Sequence, residues 1–127
     1  MATRSSHGQG VVNVLLVEDH DIVAELMIST ITALGYRAQR AATVQKAREM
    51  IVHGDFDVVL CDFSLPDGTA NDLLTQLADS PHPPIILLTA YGSEALGTAG
   101  KRFERILQKP PDEQELVEAI EAVRLHR

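Results

Sequence analysis

Short apolar runs alternate along the chain with stretches whose apolar residues recur at helical spacing, and no segment repeats another. Val12 to Val17 is apolar almost throughout and ends abruptly in Glu18-Asp19, which suits a strand buried on both faces of a parallel sheet. From Asp21 to Leu34, the residues Val23, Leu26, Met27, Thr30, Ile31 and Leu34 fall at i, i+3, i+4, i+7, i+8 and i+11. That spacing predicts a helix with those residues on its buried stripe, stopped by Gly35 as a left-handed cap. Tyr36 to Ala41 is a weaker, polar strand suited to an edge. Thr43 can cap a second helix on which Val44, Ala47 and Ile51 share a face, closed by His53-Gly54.

Asp57 to Cys61 reads as the third strand and again meets an acid, Asp62. Leu65-Pro66-Asp67-Gly68 is a turn, after which Leu73, Leu74 and Leu77 mark the inner side of a helix that stops before Ser80-Pro81. Ile85 to Leu88, followed by Thr89, is the fourth and most apolar strand. Gly92 to Gly100 holds three glycines in nine residues, so any helix there is weak. Arg105 to Gln108 is a short fifth strand before Lys109-Pro110-Pro111. The last helix opens with a capping box, Asp112 with Glu115, and carries Leu116, Ile120 and Val123 at i, i+4 and i+7. Five strands alternating with five helical stretches make a (βα)5 chain. That order requires an α/β, doubly wound, three-layer arrangement with a mostly parallel sheet.

Composition narrows the function classes. At ~150 residues per domain, 127 residues make one domain. Met1 to Gly10 is polar and without period and is read as a disordered arm, leaving 11–127 as the folded unit. One cysteine, Cys61, cannot form an internal disulfide, and it is read as a buried strand residue in a reducing compartment. The longest apolar runs are four residues, far below the ~18 of a membrane span, and the N-terminus lacks a signal-peptide core. A cytoplasmic domain with no membrane partner is expected. A net charge of −7 argues against direct nucleic-acid binding, which requires clustered Lys and Arg.

In a doubly wound sheet the ligand site lies beyond the carboxyl ends of the strands, and the unusual residues stand there: Glu18 and Asp19, Asp62, Thr89 and Lys109. If the first and third strands are neighbours, about 4.8 Å apart, their terminal carboxylates converge. Such a cluster repels itself until a proton, a cation or a lysine relieves it. Carboxylate and carbonyl oxygens with open positions suit Mg²⁺. The turn after the first strand, Glu18-Asp19-His20-Asp21, lacks the glycines of a phosphate-binding loop, so dinucleotide and P-loop readings are excluded. A carboxylate beside Mg²⁺, an ammonium and a hydroxyl is suited to phosphoryl transfer, with Asp62 as the nucleophile forming an acyl phosphate.

Leu15-Leu16-Val17-Glu18-Asp19, Val59 to Gly68, Ile86-Leu87-Leu88-Thr89-Ala90 and Gln108-Lys109-Pro110 together resemble the response-regulator receiver domain of the CheY-like superfamily, over Val11 to about Arg124. The resemblance implies a flavodoxin-like parallel sheet of order 2-1-3-4-5. It implies Asp62 as phospho-acceptor, Glu18, Asp19, Asp62 and the carbonyl of Ser64 around Mg²⁺, Thr89 as switch hydroxyl, Ala90 as the small residue leaving access, and Lys109 as the pairing lysine. A cis Lys109-Pro110 bond is expected. The implied donor is a sensor histidine kinase or a histidine phosphotransfer protein, and the implied output is a downstream protein target or effector domain. The resemblance also implies a dimerisation surface on the face made by the fourth helix, fifth strand and last helix. The chain is then a phosphorelay switch rather than an enzyme, its only chemistry being self-catalysed phosphotransfer and autodephosphorylation. On that resemblance, 127 residues are expected to suffice for the switch, which fits a stand-alone regulator, a phosphorelay receiver or a piece of a hybrid kinase or longer regulator alike.

Two positions depart from the pattern. Ile106 stands where the family usually places the switching aromatic, and the stretch from Thr89 to Lys109 is short and glycine-rich, with Tyr91 placed to cover the acceptor. The Ile106 departure favours the rival reading, a receiver-like interaction module that is not phosphorylated; the intact acids, Thr89 and Lys109 weigh against it. A phosphatase of external substrates would need an acid at position 64, which is Ser64. Taken singly, each residue has an ordinary explanation: Glu18 and Asp19 precede a helix whose dipole favours acids, Thr89 ends a strand, and Lys109 enters a helix. His20 among carboxylates is more often solvated than a ligand, and Glu113, Glu115, Glu118 and Glu121 are read as a solvated face.

Overall fold

The structure, a computed structural model, describes residues 10–90 and 102–125. In chain order its elements are β1 (Asn13–Val17), α1 (Asp21–Ala33), β2 (Arg37–Ala41), α2 (Val44–His53), β3 (Val58–Asp62), β4 (Ser64–Leu65), β5 (Gly68–Thr69), α3 (Ala70–Leu77), β6 (Ile85–Thr89), β7 (Arg105–Gln108) and α4 (Glu113–Leu125). The main sheet is parallel throughout, in the order β2-β1-β3-β6-β7. Counting its five strands in sequence, this is the expected 2-1-3-4-5. β4 and β5 form a separate antiparallel ladder around the Leu65–Gly68 turn. The segment expected to be a disordered arm, except for Gly10, and the glycine-rich stretch with Tyr91, to which the expected fourth helix of the dimerisation face belongs, lie outside the described residues.

The strands are apolar without alternation because both faces of the sheet are covered. Leu15, Val17, Val59, Cys61, Ile85 and Leu87 point to one side, where α2 and α3 supply Ala47, Ile51, Leu73 and Leu77. Val14, Leu16, Val58, Leu60, Ile86 and Leu88 point to the other, against Ala24, Met27 and Ile31 of α1 and Leu116, Ile120 and Val123 of α4. The period-two division of each strand between the two cores fixes its register, since a one-residue slip would exchange the layers.

Local chemistry sets the element ends. Gly35, at φ 97°, turns the chain out of α1, with its N–H donating to the Thr32 carbonyl at 3.0 Å. The Thr43 side chain accepts from Lys46 N and opens α2. Asp112 and Glu115 form the expected reciprocal box at the start of α4, with N···O distances of 3.0 and 2.8 Å. Gly68, at φ 153°, also lacks room for a side chain, because a Cβ there would lie 2.7 Å from Asp72 Oδ2, which accepts from Thr69 N in the capping box of α3.

One expected face is corrected. The stripe on α1 is centred on Ala24, Met27 and Ile31, while Leu26 is 64% exposed and Val23 and Thr30 are only partly covered. α1 carries more apolar residues than one face can bury. The small Ala24 lets the helix approach the sheet, which a pattern scored on large side chains overlooks. The solvated face of α4 needs a smaller correction, since Glu121 accepts from the Tyr36 hydroxyl at 2.8 Å and from Arg124 at 3.0 Å, tying α4 to the connection between α1 and β2.

Candidate phosphoryl-transfer site

The registers Val17↔Cys61, Asp62↔Leu88 and Thr89↔Gln108 bring the carboxyl ends of β1, β3, β6 and β7, and with them Glu18, Asp62, Thr89 and Lys109, to one edge of the sheet. Strand order reverses there, between β1 and β3. Glu18 is fully buried, and its backbone N–H donates to Ala41 O at 3.0 Å, so the β1 ladder is continued to the acid itself. Lys109 Nζ reaches from the end of β7 to Glu18 Oε1 at 2.8 Å and to Asp62 Oδ1 at 3.1 Å. Its backbone N–H is fixed to Thr89 O at 2.7 Å, and the Lys109-Pro110 bond is cis as expected.

The electrostatics follow from that bridge. Burial alone would push the Glu18 carboxyl up, but the Lys109 hydrogen bond, the His20 backbone N–H and the Lys109 charge hold it below its ordinary value. Asp62 goes the other way. Burial raises it, the Lys109 bond pulls it back, and the charges of Glu18 and Asp19 push it up again, leaving it above the ordinary carboxylate value. Burial would lower Lys109, yet its bonds to Glu18 and Asp62 raise it, so the ammonium is secure at neutral pH. One lysine thus serves two acids, and negative charge is left over.

Asp19 carries that excess. Its Oδ1 is screened from solvent and accepts no hydrogen bond. The donor set fits a divalent cation on these grounds: a buried carboxylate, a second carboxylate with an unused buried oxygen, and Asp62 alongside. Glu18, Asp19 and His20 each offer a ligand atom within 4.8 Å of the others. Among the expected site residues, the structure brings Glu18, Asp62 and Lys109 into direct contact and sets Asp19 beside them. Thr89 is buried at the last position of β6, and Ser64 is exposed, two residues beyond Asp62. Ile106 packs against the α2–α3 core. Cys61 is fully buried; burial first, then the Asp62 and Glu18 charges, raise its thiol far above the thiolate range, so it is a core residue and not a nucleophile.

Two residues escaped the sequence reading. Arg40, near the end of edge strand β2, donates from Nε to Glu18 O at 2.9 Å and from Nη1 to Asp21 Oδ1 at 2.8 Å, clamping both ends of the acidic turn. Asp67 accepts from the backbone N–H groups of Val44 and Gln45 at 2.7 and 3.0 Å, capping α2 from the loop that follows Asp62. Arg40 left one signal, a cation repeated in an otherwise plain edge strand. Asp67 read only as a turn former.

A doubly wound parallel sheet carrying acids, a hydroxyl and a lysine at its carboxyl edge defines a class of phosphoryl-accepting signalling domains. The chain matches the response regulator receiver domain family over residues 14–121, and it belongs to that family. It is 34% identical over 111 residues to the response regulator protein PilR of Pseudomonas aeruginosa, covering 84% of this chain and 24% of PilR. It therefore spans about a quarter of that relative. A response regulator structure from Chloroflexus aurantiacus superposes with a TM-score of 0.83 at 30% identity, covering 91% of this chain and 98% of that one. The receiver domain of a Pseudomonas aeruginosa sensor histidine kinase, with magnesium coordinated in its active-site cleft, shares the fold at a TM-score of 0.82 and 22% identity, covering 91% and 98%. Receiver domains of this fold thus occur both in regulators and in kinases.

Proposed function

We propose that this receiver domain accepts a phosphoryl group on Asp62 from a phosphohistidine, with Mg²⁺ held by Glu18, Asp19, Asp62 and the Ser64 carbonyl. The carrying observation is the Lys109 ammonium bridging Glu18 and Asp62 beside the unused buried oxygen of Asp19. An Asp62 oxygen attacks phosphorus, the P–N bond of the donor breaks, and the electron pair leaves on the imidazole. The cation, when bound, screens the acids and the transferring oxygens from one another. Lys109 already contacts the acceptor and pairs with the added charge, and Thr89 donates its hydroxyl to the phosphoryl group. The product biases a two-state equilibrium that alters a face for a downstream target or effector domain. Turnover is confined to the domain's own aspartyl phosphate, so it is a switch and not an enzyme for external substrates. Incubation with acetyl phosphate and Mg²⁺ should add the mass of one phosphoryl group; absence of any adduct under conditions that label another receiver domain would refute the reading.

A cation that binds only the assembled acids stabilises the fold, by about 2.7 kcal/mol at a hundred times its Kd. Saturating Mg²⁺ should accordingly raise the melting temperature by roughly 5–10 °C. A melting temperature indifferent to millimolar Mg²⁺ counts against the pocket.

The donor docks, on this reading, beside the site. Ile22 and Leu26 are 74% and 64% exposed on α1, and an apolar groove of about 240 Å³ runs from Val23, Leu26 and Met27 to Lys109, Pro110 and Pro111. The groove reaches the lysine that touches Asp62, which suits it to a helical phosphohistidine carrier approaching the acceptor. Leu26→Asp should slow transfer from a cognate carrier at least tenfold and leave labelling by acetyl phosphate unchanged; equal loss with both donors would place the effect in the chemistry instead. The compartment that suits such partners is the cytoplasm, and among the described residues no helix is long and apolar enough to cross a membrane.

A further inference from the structure

We propose that Asp67 is a positioning residue for the cation site: by taking the two leading N–H groups of α2 it ties down the hairpin that follows Asp62 and sets where the Ser64 carbonyl stands. This rests on the reading above of a cation held by Glu18, Asp19, Asp62 and Ser64, and concerns what keeps the last of these in place.

Asp67 Oδ1 accepts from Val44 N at 2.7 Å and Oδ2 from Gln45 N at 3.0 Å. No earlier carbonyl of α2 can satisfy those groups. The next two are met locally, Lys46 N by the Thr43 hydroxyl and Ala47 N by the Thr43 carbonyl, each at 3.0 Å. α2 thus has an ordinary cap of its own, and Asp67 adds a second from 23 and 22 residues away. Burial raises the Asp67 carboxyl, but the N–H groups of Val44, Gln45 and Asp67 itself prevail and hold it below its ordinary value, so a full charge faces the positive end of the helix.

Both ends of this tie reach the acids. On the helix side, Val44 is buried in the core and stands just beyond Ala41, whose carbonyl accepts from Glu18 N at 3.0 Å. On the hairpin side, Ser64 pairs with Thr69 and Leu65 with Gly68. The root of the hairpin is fixed by Phe63, whose N–H donates to Leu88 O at 3.1 Å and whose carbonyl accepts from Ala70 N at 2.9 Å. Ser64 lies between that root and the turn carrying Asp67. With the turn held to α2, the Ser64 carbonyl keeps a set distance from Glu18 and Asp62; with the turn free, it swings about Phe63. Magnesium is sensitive to such a shift, because it demands near-octahedral ligands at about 2.0–2.1 Å.

Calorimetric Mg²⁺ titration of the full chain, alongside Asp67→Ala and Thr43→Ala, tests this. Both changes strip α2 of a cap and destabilise it comparably, but only the first frees the hairpin. Asp67→Ala should raise the Mg²⁺ dissociation constant about tenfold, the lower end of what lost outer support costs a metal site, while Thr43→Ala leaves it within twofold. Asp67→Asn, which keeps one oxygen for Val44 N, should fall between, and it carries the comparison if the alanine variant does not fold. Because coupling is reciprocal, saturating Mg²⁺ should also slow hydrogen exchange at Val44 N and Gln45 N more than at Lys46 N, which Thr43 caps in the same turn. Wild-type Mg²⁺ affinity in the folded Asp67 variants, or an equal loss in Thr43→Ala, makes Asp67 a helix cap only and overturns the proposal. A wild-type chain that takes up no Mg²⁺ instead removes the cation reading, and the proposal with it.

Discussion

Asp62→Asn is expected to abolish phosphoryl incorporation from a small phosphodonor and, in the same protein, to raise the melting temperature at pH 7 to 8 by a few degrees. The first effect follows from the carboxylate oxygen that forms the new bond, since an amide is no substitute nucleophile. The second follows from linkage. Asp62 is raised above its unfolded value, first by burial and then, against the Lys109 bond, by Glu18 and Asp19. The native state therefore holds the Asp62 proton more tightly than the unfolded chain, and stability falls as pH rises from the ordinary carboxylate value through the raised folded value. At neutral pH the whole penalty is present. Asparagine removes the charge while keeping an oxygen for Lys109, so the gain should appear at pH 7 to 8 and vanish near pH 3, where the aspartate is protonated in both states. Intact-mass spectrometry and paired melts at the two pH values check it. A phosphoryl adduct that survives in Asp62→Asn, or a melting gain equally large at pH 3, would each contradict the assignment.

The legible and illegible parts of this molecule divide along physical lines. Buried parallel strands announce themselves because both faces are covered, so Val14–Val17, Val58–Cys61 and Ile85–Leu88 could be placed, and the acids that end them stand out against the apolar run. Caps were legible for the same local reason: Thr43, Gly35 and the Asp112–Glu115 pair each act within four residues of their target. What depends on a neighbour from another strand was not legible. Arg40 lies 22 residues from the carbonyl it grips, and Asp67 lies 23 from the helix it caps. The orientation of α1 failed because its apolar residues exceed one face. The surplus, Ile22 and Leu26, is the part facing solvent beside the site. The convergence of Glu18, Asp62 and Lys109 needed the strand order as well as the residues, and the sheet supplied it.

Lys109→Met should lower stability by about 3 kcal/mol at pH 8, near the lower end for removing one member of a buried pair because Asp62 and Lys109 retain some contact with water. Methionine keeps an unbranched stem against Pro110 and the apolar groove, so the loss reports the charge. Its pH dependence identifies the source. In the wild type, burial pushes Glu18 up, but the Lys109 bond, the His20 N–H and the Lys109 charge prevail and hold it below its unfolded value. A carboxyl lowered in this way contributes stability above its unfolded value and loses it as pH falls through the folded one. Without the lysine, burial and the charge of Asp62 act on Glu18 against only the backbone N–H and the exposed side chain of His20, and the sign reverses: the variant loses stability as pH rises through the carboxylate range. The two proteins should therefore be closest below pH 4 and furthest apart from pH 7 to 9. Lys109 is itself raised above its ordinary value, so its contribution is complete below that value and lost as pH climbs through the folded one, closing the gap again in strong alkali. Mg²⁺, which relieves the same repulsion, should recover more stability in the variant than in the wild type. Urea denaturation at pH 4 and pH 8, with and without Mg²⁺, reads all of this. A deficit constant with pH would mean that Lys109 acts by packing, and the bridge between Glu18 and Asp62 would no longer explain how three acids are held at the end of one sheet.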